Sequence, residues 1–226
     1  MLTASRTNAV KPRRQRGPGR PPADEQLGDM RQAIVDAAIH CFAARGYATT
    51  TNREIAAFAG VTSSLLYHYF DDKAALFRAA VMDVNLKLLD LYRASALEAP
   101  DAPSMQQLSL GVERAIEFAG QRPEVMRFAG LAVGEILRHP ELRISRDEGS
   151  EAFPMLFREL LERAHRRGEL DPDVDIDAGV RVLSACMTRL AGMHGEVASH
   201  EEFARSMRTF ERMLRGGLMR VPPSVT

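Results

Sequence analysis

No apolar run in this sequence approaches the ~18 residues that a membrane span requires, and the Arg-rich N-terminus has no apolar stretch of the kind a secretory signal carries. A cytoplasmic protein without membrane contact is therefore expected. Cysteine is scarce: Cys41 and Cys186 stand far apart, too few for a disulfide framework. Cys41 falls on the apolar face of an expected helix and reads as a buried thiol, a redox switch being the alternative. No strand pattern of any length occurs, no Gly-rich phosphate loop follows a strand, and no nucleophile elbow is present. His139, His165, His194 and His200 do not fall at metal-ligand spacing. These absences exclude the common enzyme classes, and neither a metal nor a cofactor is expected.

The chain has 226 residues, 45% of them apolar and 27% charged, enough for one small domain and a larger one. Its formal net charge is zero, but the charge is unevenly spread. Residues 1–22 hold Arg6, Lys11, Arg13, Arg14, Arg16 and Arg20 and no carboxylate. Residues 1–27 are polar, basic and rich in Pro and Gly, without the periodicity of a core, and read as a flexible arm. The segment around Arg16, Gly19, Arg20 and Pro21 resembles minor-groove hooks in which an extended arginine enters a narrow A·T-rich groove. A solubilising tail is the other reading of this arm.

Residues 45–73, RGYATTTNREIAAFAGVTSSLLYHYFDDK, organise the rest. Thr51 and Glu54 have capping-box spacing, so a helix starts near Asn52. Ile55, Phe58 and Ala59 follow at the spacing of a buried face, and Gly60 supplies the turn. Thr62 is a second N-cap, and Val61, Leu66 and Tyr69 form the inner stripe of a second short helix running to about Phe70. Two short helices around a tight Gly turn are a DNA-reading unit.

The matching residues Phe42, Gly46, Tyr47, Thr50, Thr51, Ile55, Ala56, Ala59, Gly60, Val61, Thr62, Leu66, Tyr67, Tyr69, Phe70 and Lys73 give this stretch its family resemblance. It resembles the DNA-binding domain of TetR/AcrR-family transcriptional regulators. Ser64 and Leu65 depart from the family pattern, which bears on the operator sequence. The resemblance implies that Ser63, Ser64 and Leu65 face the major groove, Leu65 against a thymine methyl, and that Tyr67 contacts a base or the backbone. It places Arg53 for bidentate contact to a guanine, and Thr51, Thr62, His68, Tyr69 and Lys73 as phosphate contacts. A solvated or core-packing role is the alternative at each position, most of all at Tyr69.

The rest of the chain reads as helices. Residues 29–45 carry the stripe Ile34, Ala37, Ala38, Cys41 and Phe42, ended by Gly46. A long helix capped by Asp71 or Asp72 runs to about Leu97, and another opens at Ser104 and reaches Phe118. Pro123 starts a third, stopped at His139 and Pro140. Residues 142–149 read as a charged loop, and Phe153, Met155, Leu156, Phe157, Leu160 and Leu161 build the next helix, ending at Gly168. Two more span about 175–197 and 201–219. The expected fold is all-α with about nine helices: the arm (1–27), a three-helix helix-turn-helix domain (28–88), and a larger ligand-binding and dimerisation domain (89–226).

Met105, Phe118, Met126, Phe128, Phe153, Met155 and Phe157 form either a core or a pocket, with Phe118, Met126, Phe128, Phe153 and Phe157 as the pocket candidates. Ala178, Ala185 and Gly192, seven apart with Ser184 and Ala191 beside them, make a nearly flat strip that suits helix contact in one subunit or across a dimer. The resemblance implies a homodimer built on the last two helices. It also implies a repressor that binds an inverted-repeat operator in double-stranded DNA and releases it when a small apolar or amphipathic effector binds, so that the protein is nucleoid-associated when bound. The alternative is a nucleoid-type binder of low specificity that uses the basic arm.

Overall fold

In the computed structural model, which describes residues 23–144 and 152–216, the regular structure is helical and no strand occurs among the described residues. The helices are α1 Ala23–Thr49, α2 Asn52–Phe58, α3 Ser63–Tyr69, α4 Lys73–Glu98, α5 Ser104–Gln121, α6 Pro123–Arg138, α7 Ala152–Arg166, α8 Ile176–Met193 and α9 His200–Leu214. A single 3-10 turn, Pro140–Leu142, follows α6. The all-α expectation, with nine helices among the described residues, holds. None of them is long and apolar enough to cross a membrane.

Side-chain caps set many of the starts. Asp72 accepts from the amide of Ala75 at 2.6 Å, Asp175 from Ala178 at 2.9 Å, and Ser199 from Glu202 at 3.2 Å. Pro123 opens α6, where its missing N–H costs nothing. Helix α1 is broken at Gly46, whose φ of 78° no side chain with a Cβ adopts easily. Its start corrects the arm's expected boundary: α1 begins at Ala23, inside the stretch expected to be arm. Regular helix in α8 stops at Met193 rather than near Val197, and turn hydrogen bonds to the Met193 carbonyl carry the chain on. Residues 145–149 of the expected loop, and residues 217–219 of the last expected helix, lie outside the described residues.

One aromatic cluster joins the two halves. Phe42 of α1, Phe77 of α4 and Phe128 of α6 are all buried, with ring centroids 5.0 Å (Phe42 to Phe77), 5.2 Å (Phe77 to Phe128) and 6.2 Å (Phe42 to Phe128) apart. Polar ties reinforce the frame. Lys87 pairs with Asp36 at 3.0 Å and Asp83 at 2.6 Å, linking α4 to α1, and Arg208 grips Glu113 through two 2.8 Å hydrogen bonds, linking α9 to α5. Helices α6 and α8 cross where Gly130 meets Gly192; a Cβ on Gly130 would stand 2.4 Å from the Gly192 Cα.

Three expectations about burial are corrected. Phe58 is 58% exposed; the seven-residue α2 buries Ile55 and Ala56 instead, and Phe58 stacks on His40 with ring centroids 4.3 Å apart. Met155 is 59% exposed on the outer side of α7. Gly192 lies buried in the crossing with α6, so that part of the small-residue strip serves a contact inside the subunit. Cys41 is buried, and burial pushes its thiol pKa up, which favours an inert thiol over a redox switch.

Candidate nucleic-acid interface and internal cavity

The turn between α2 and α3 is built by local chemistry. The Thr51 amide donates to Glu54 Oε2 at 2.9 Å and the Glu54 amide to Thr51 Oγ1 at 3.3 Å, a complete capping box. Hydrogen bonds from the Thr51 amide and hydroxyl, joined by Arg45, hold the Glu54 carboxyl below the usual carboxylate range. Gly60, at φ 69°, turns the chain, and Thr62 Oγ1 accepts from the Leu65 amide at 3.2 Å to start α3.

Within α3, Leu66 is fully buried and Tyr69 half-buried, and Phe70 beyond its end is buried under the Arg31 guanidinium, 5.0 Å from the ring centroid. The opposite face turns outward. Ser64, Tyr67 and His68 share it at i, i+3 and i+4 and are exposed, while Ser63 and Leu65 at its margin are half-buried. Thr51, Arg53 and Thr62 are exposed at the helix starts beside this face, and Arg53 has no ion pair or hydrogen-bond partner among the described residues. A short helix is thus held on one side and free on the other, with hydroxyls, an imidazole, a phenol and a guanidinium on the free side. Such a face fits base edges and phosphates. Arg20, named as a DNA contact from sequence, lies outside the described residues.

Lys73 has a task different from the phosphate contact that the resemblance implies. Its Nζ donates to the carbonyls of Tyr47 at 2.8 Å, Thr50 at 3.0 Å and Ala48 at 3.4 Å, and it sits 4.4 Å from the Tyr47 ring centroid. Three protons meet three carbonyls that the break at Gly46 leaves outside a helix ladder. The charge closes the loop between α1 and α2.

A cavity of about 370 Å³ lies between α4, α6, α7 and α8, inside the size range of small-molecule sites. Met126, Phe128, Phe153 and Phe157 line it, as do Val84 and Leu88. Phe118 is not part of the lining: it packs half-buried against the core from α5, which corrects its place among the pocket candidates. Sequence reasoning missed the cavity's polar members, Asn85 and Tyr92 on α4 and Ser184 and Thr188 on α8. Asn85 interrupting the Val81, Val84, Leu88 and Tyr92 stripe was the available signal. Ser184, grouped from sequence with the small-residue strip, points its hydroxyl into protein.

The cavity and the reading unit share parts. Phe128 lines the cavity and packs on Phe42 and Phe77, and Glu135 of the same helix would stand 3.2 Å from a Cβ on Gly46. His139, at the end of α6, has its ring centroid 5.1 Å from that of Tyr47.

Comparison with known proteins agrees with this geometry. Residues 34–80 match the family model described as bacterial regulatory proteins, tetR family. The chain is 27% identical over 170 residues to the HTH-type transcriptional regulator SrpR of Pseudomonas putida, covering 72% of this chain and 73% of that protein. It is 29% identical over 169 residues to the HTH-type transcriptional regulator TtgR, also of Pseudomonas putida, covering 71% and 78%. Among solved structures, the fold is similar to the fatty acid degradation regulator FadR from Bacillus halodurans, with a TM-score of 0.70 at 18% identity over 84% of this chain and 97% of that one. It is also similar to a TetR-family transcriptional regulator from Rhodococcus sp., with a TM-score of 0.63 at 22% identity over 85% and 100%. With the helix-turn-helix, the all-helical fold and these relatives in agreement, residues 34–80 are a DNA-binding domain of the tetR type, and the chain is a DNA-binding transcriptional regulator, not an enzyme, similar over most of its length to TetR-family regulators.

Proposed function

We propose that the protein is a homodimeric repressor that reads an inverted repeat in double-stranded DNA and leaves it when a small apolar or amphipathic effector fills the cavity. The observation that carries this reading is the packing of Phe128, one ring that lines the cavity and also meets Phe42 of α1 and Phe77 of α4, the helices on either side of the DNA-reading pair. Residues 28–88 form the reading unit and residues 89–226 the sensing and dimerising unit. Ser63, Ser64 and Leu65 face the major groove, with Tyr67 on a base or the backbone and Arg53 on a guanine. Thr51, Thr62, His68 and Tyr69 contact phosphates, and Arg20 in the basic arm reaches the minor groove.

For the dimer, Ala185 and Val182 of α8 and Met213 of α9 are exposed, Val182 by 61% and Met213 by 50%, and Ala178 is half-buried. Apolar residues left uncovered on the last two helices suit a two-fold contact between copies. Two-fold protein symmetry matches two-fold operator symmetry. An effector that stabilises a conformer with the wrong spacing of reading helices lowers DNA affinity by population shift.

Selection of duplexes from a random pool at physiological salt, followed by sequencing, tests the reading. An enriched inverted repeat is expected. Tight, salt-sensitive binding without enrichment would instead favour a nucleoid-type binder.

A further inference from the structure

The joint between α6 and the reading unit carries a histidine with a carboxylate at each ring nitrogen. His139, just past the end of α6, has Nε2 3.6 Å from Glu135 Oε2 and Nδ1 3.5 Å from Glu141 Oε1. These are ion-pair distances, too long for good hydrogen bonds. A neutral imidazole has a proton on one nitrogen only and turns a lone pair toward the other carboxylate, whereas the imidazolium offers a proton to both. Glu135 has the greater need of a cation: its side chain is 13% exposed, and a Cβ on Gly46 would stand 3.2 Å from its Oε1. Its other cation among the described residues, Arg138 at 3.6 Å, is largely exposed, and such a pair contributes little. The His139 ring meets that of Tyr47 at 62° with centroids 5.1 Å apart, and Tyr47 is the first residue after the break in α1. Helix α4 supplies the remaining charges: Lys73 holds the Tyr47 carbonyl, Arg78 donates to the Glu141 carbonyl at 2.6 Å, and Asp72 acts on Tyr47. Imidazole is the side chain whose charge ordinarily changes between about pH 5 and 8.

We propose that His139 is a positioning residue for DNA binding: protonated, it fastens the end of α6 to the DNA-reading unit. Charged, the ring draws in Glu135 of α6 and Glu141 of the following turn while it packs on Tyr47, and so steadies the loop from which α2 starts. Uncharged, it releases one carboxylate and the joint loosens. The fastened joint is the one that reads DNA, because a unit already held in its binding orientation loses less freedom when it binds. DNA affinity therefore rises as pH falls: the bound state holds more protons than the free state, and by linkage added protons favour it.

The test uses the full chain and a fluorescent duplex taken from the selected pool, with affinity read by anisotropy at about pH 8 and about pH 5.5 in constant salt. From the higher pH to the lower, the wild type should gain about threefold more affinity than His139→Gln, within the worth of an exposed ion pair. Glu135→Gln should show the same flattened profile, and the double variant no further change. His68, exposed on the reading face, is common to all these proteins, so the difference between profiles isolates His139. A merely structural role would lower affinity equally at both pH values. Parallel profiles for the wild type and His139→Gln, or a wild type that gains less than the variant, would overturn the proposal.

Discussion

The ring of Phe128 on α6 meets that of Phe77 on α4 edge-on, at 62° with centroids 5.2 Å apart, and the same ring lines the cavity. Any change in cavity contents therefore bears on the helix that follows the DNA-reading pair. Phe128→Leu keeps an apolar side chain there and should cost about 1 to 1.5 kcal/mol of stability. It should leave DNA affinity near wild type while reducing the effector's influence on it several-fold, where site-to-site coupling commonly runs from about 5- to 150-fold. Operator affinity with and without saturating effector gives the ratio. An undiminished ratio would take Phe128 out of the coupling.

Lys73→Met strips three carbonyls of their shared cation. The expected loss is about 1.5 to 3 kcal/mol in urea denaturation, the worth of hydrogen bonds to a charged group. Should stability be unchanged while affinity drops on every DNA sequence alike, Lys73 belongs with the phosphate contacts after all.

Arg53 is exposed and free of intramolecular partners among the described residues, so Arg53→Ala should leave the melting temperature unchanged. Affinity for the enriched operator should fall by about 1 to 3 kcal/mol, concentrated at one symmetric base pair. Anisotropy titrations on specific and random duplexes separate the two effects. Equal losses on both would assign Arg53 to the backbone.

At the crossing of α6 and α8, a Cβ on Gly130 would come 2.4 Å from the Gly192 Cα, whereas one on Gly192 would be 3.1 Å from the Gly130 Cα. Backbone cannot step aside as a side chain can. Gly130→Ala should therefore cost about 1 to 3 kcal/mol, the range for overpacking, and Gly192→Ala less. Calorimetry on the two variants checks the order, which the opposite ranking would refute.

His194 sits between α8 and α9 with ring centroids of His200 at 6.0 Å and Phe203 at 5.0 Å, and its Nδ1 is buried without a partner. Burial, then the charges of His200 and Arg127, hold its pKa below the ordinary 6.5. In the unfolded chain it takes up a proton near pH 6.5, but in the fold only at lower pH. Between those two values the unfolded state binds the extra proton, so stability falls as pH falls. Denaturation midpoints from about pH 7.5 to 5 should decline in the wild type and decline less in His194→Gln. Identical slopes would place the titration elsewhere.

Much of this was readable because helix ends are local. The capping pair Thr51 and Glu54, the caps Thr62 and Asp72, Pro123 at a first turn and the turn at Gly46 all act through hydrogen bonds or dihedrals within a few residues. The outward face of α3 was equally legible, since Leu66 on the inner stripe leaves Ser64, Tyr67 and His68 on the other side.

Periodicity marks which residues face one way but not what lies there. Phe58 and Met155 are apolar and carry a helical rhythm, yet both face outward, because the burial of a short or edge helix depends on how its neighbours are placed. Gly192 reads as part of a smooth strip, and only the path of α6 puts Gly130 against it.

The sequence by itself determined the helices and the DNA-reading unit, because those rest on chemistry between residues a few positions apart. Only the tertiary structure decided that Lys73 clamps a loop, that Phe118 stays outside the cavity, and that Asn85 and Thr188 stand among the residues that line it. Those facts arise from contacts between residues distant along the chain, and such contacts exist only once the helices have packed.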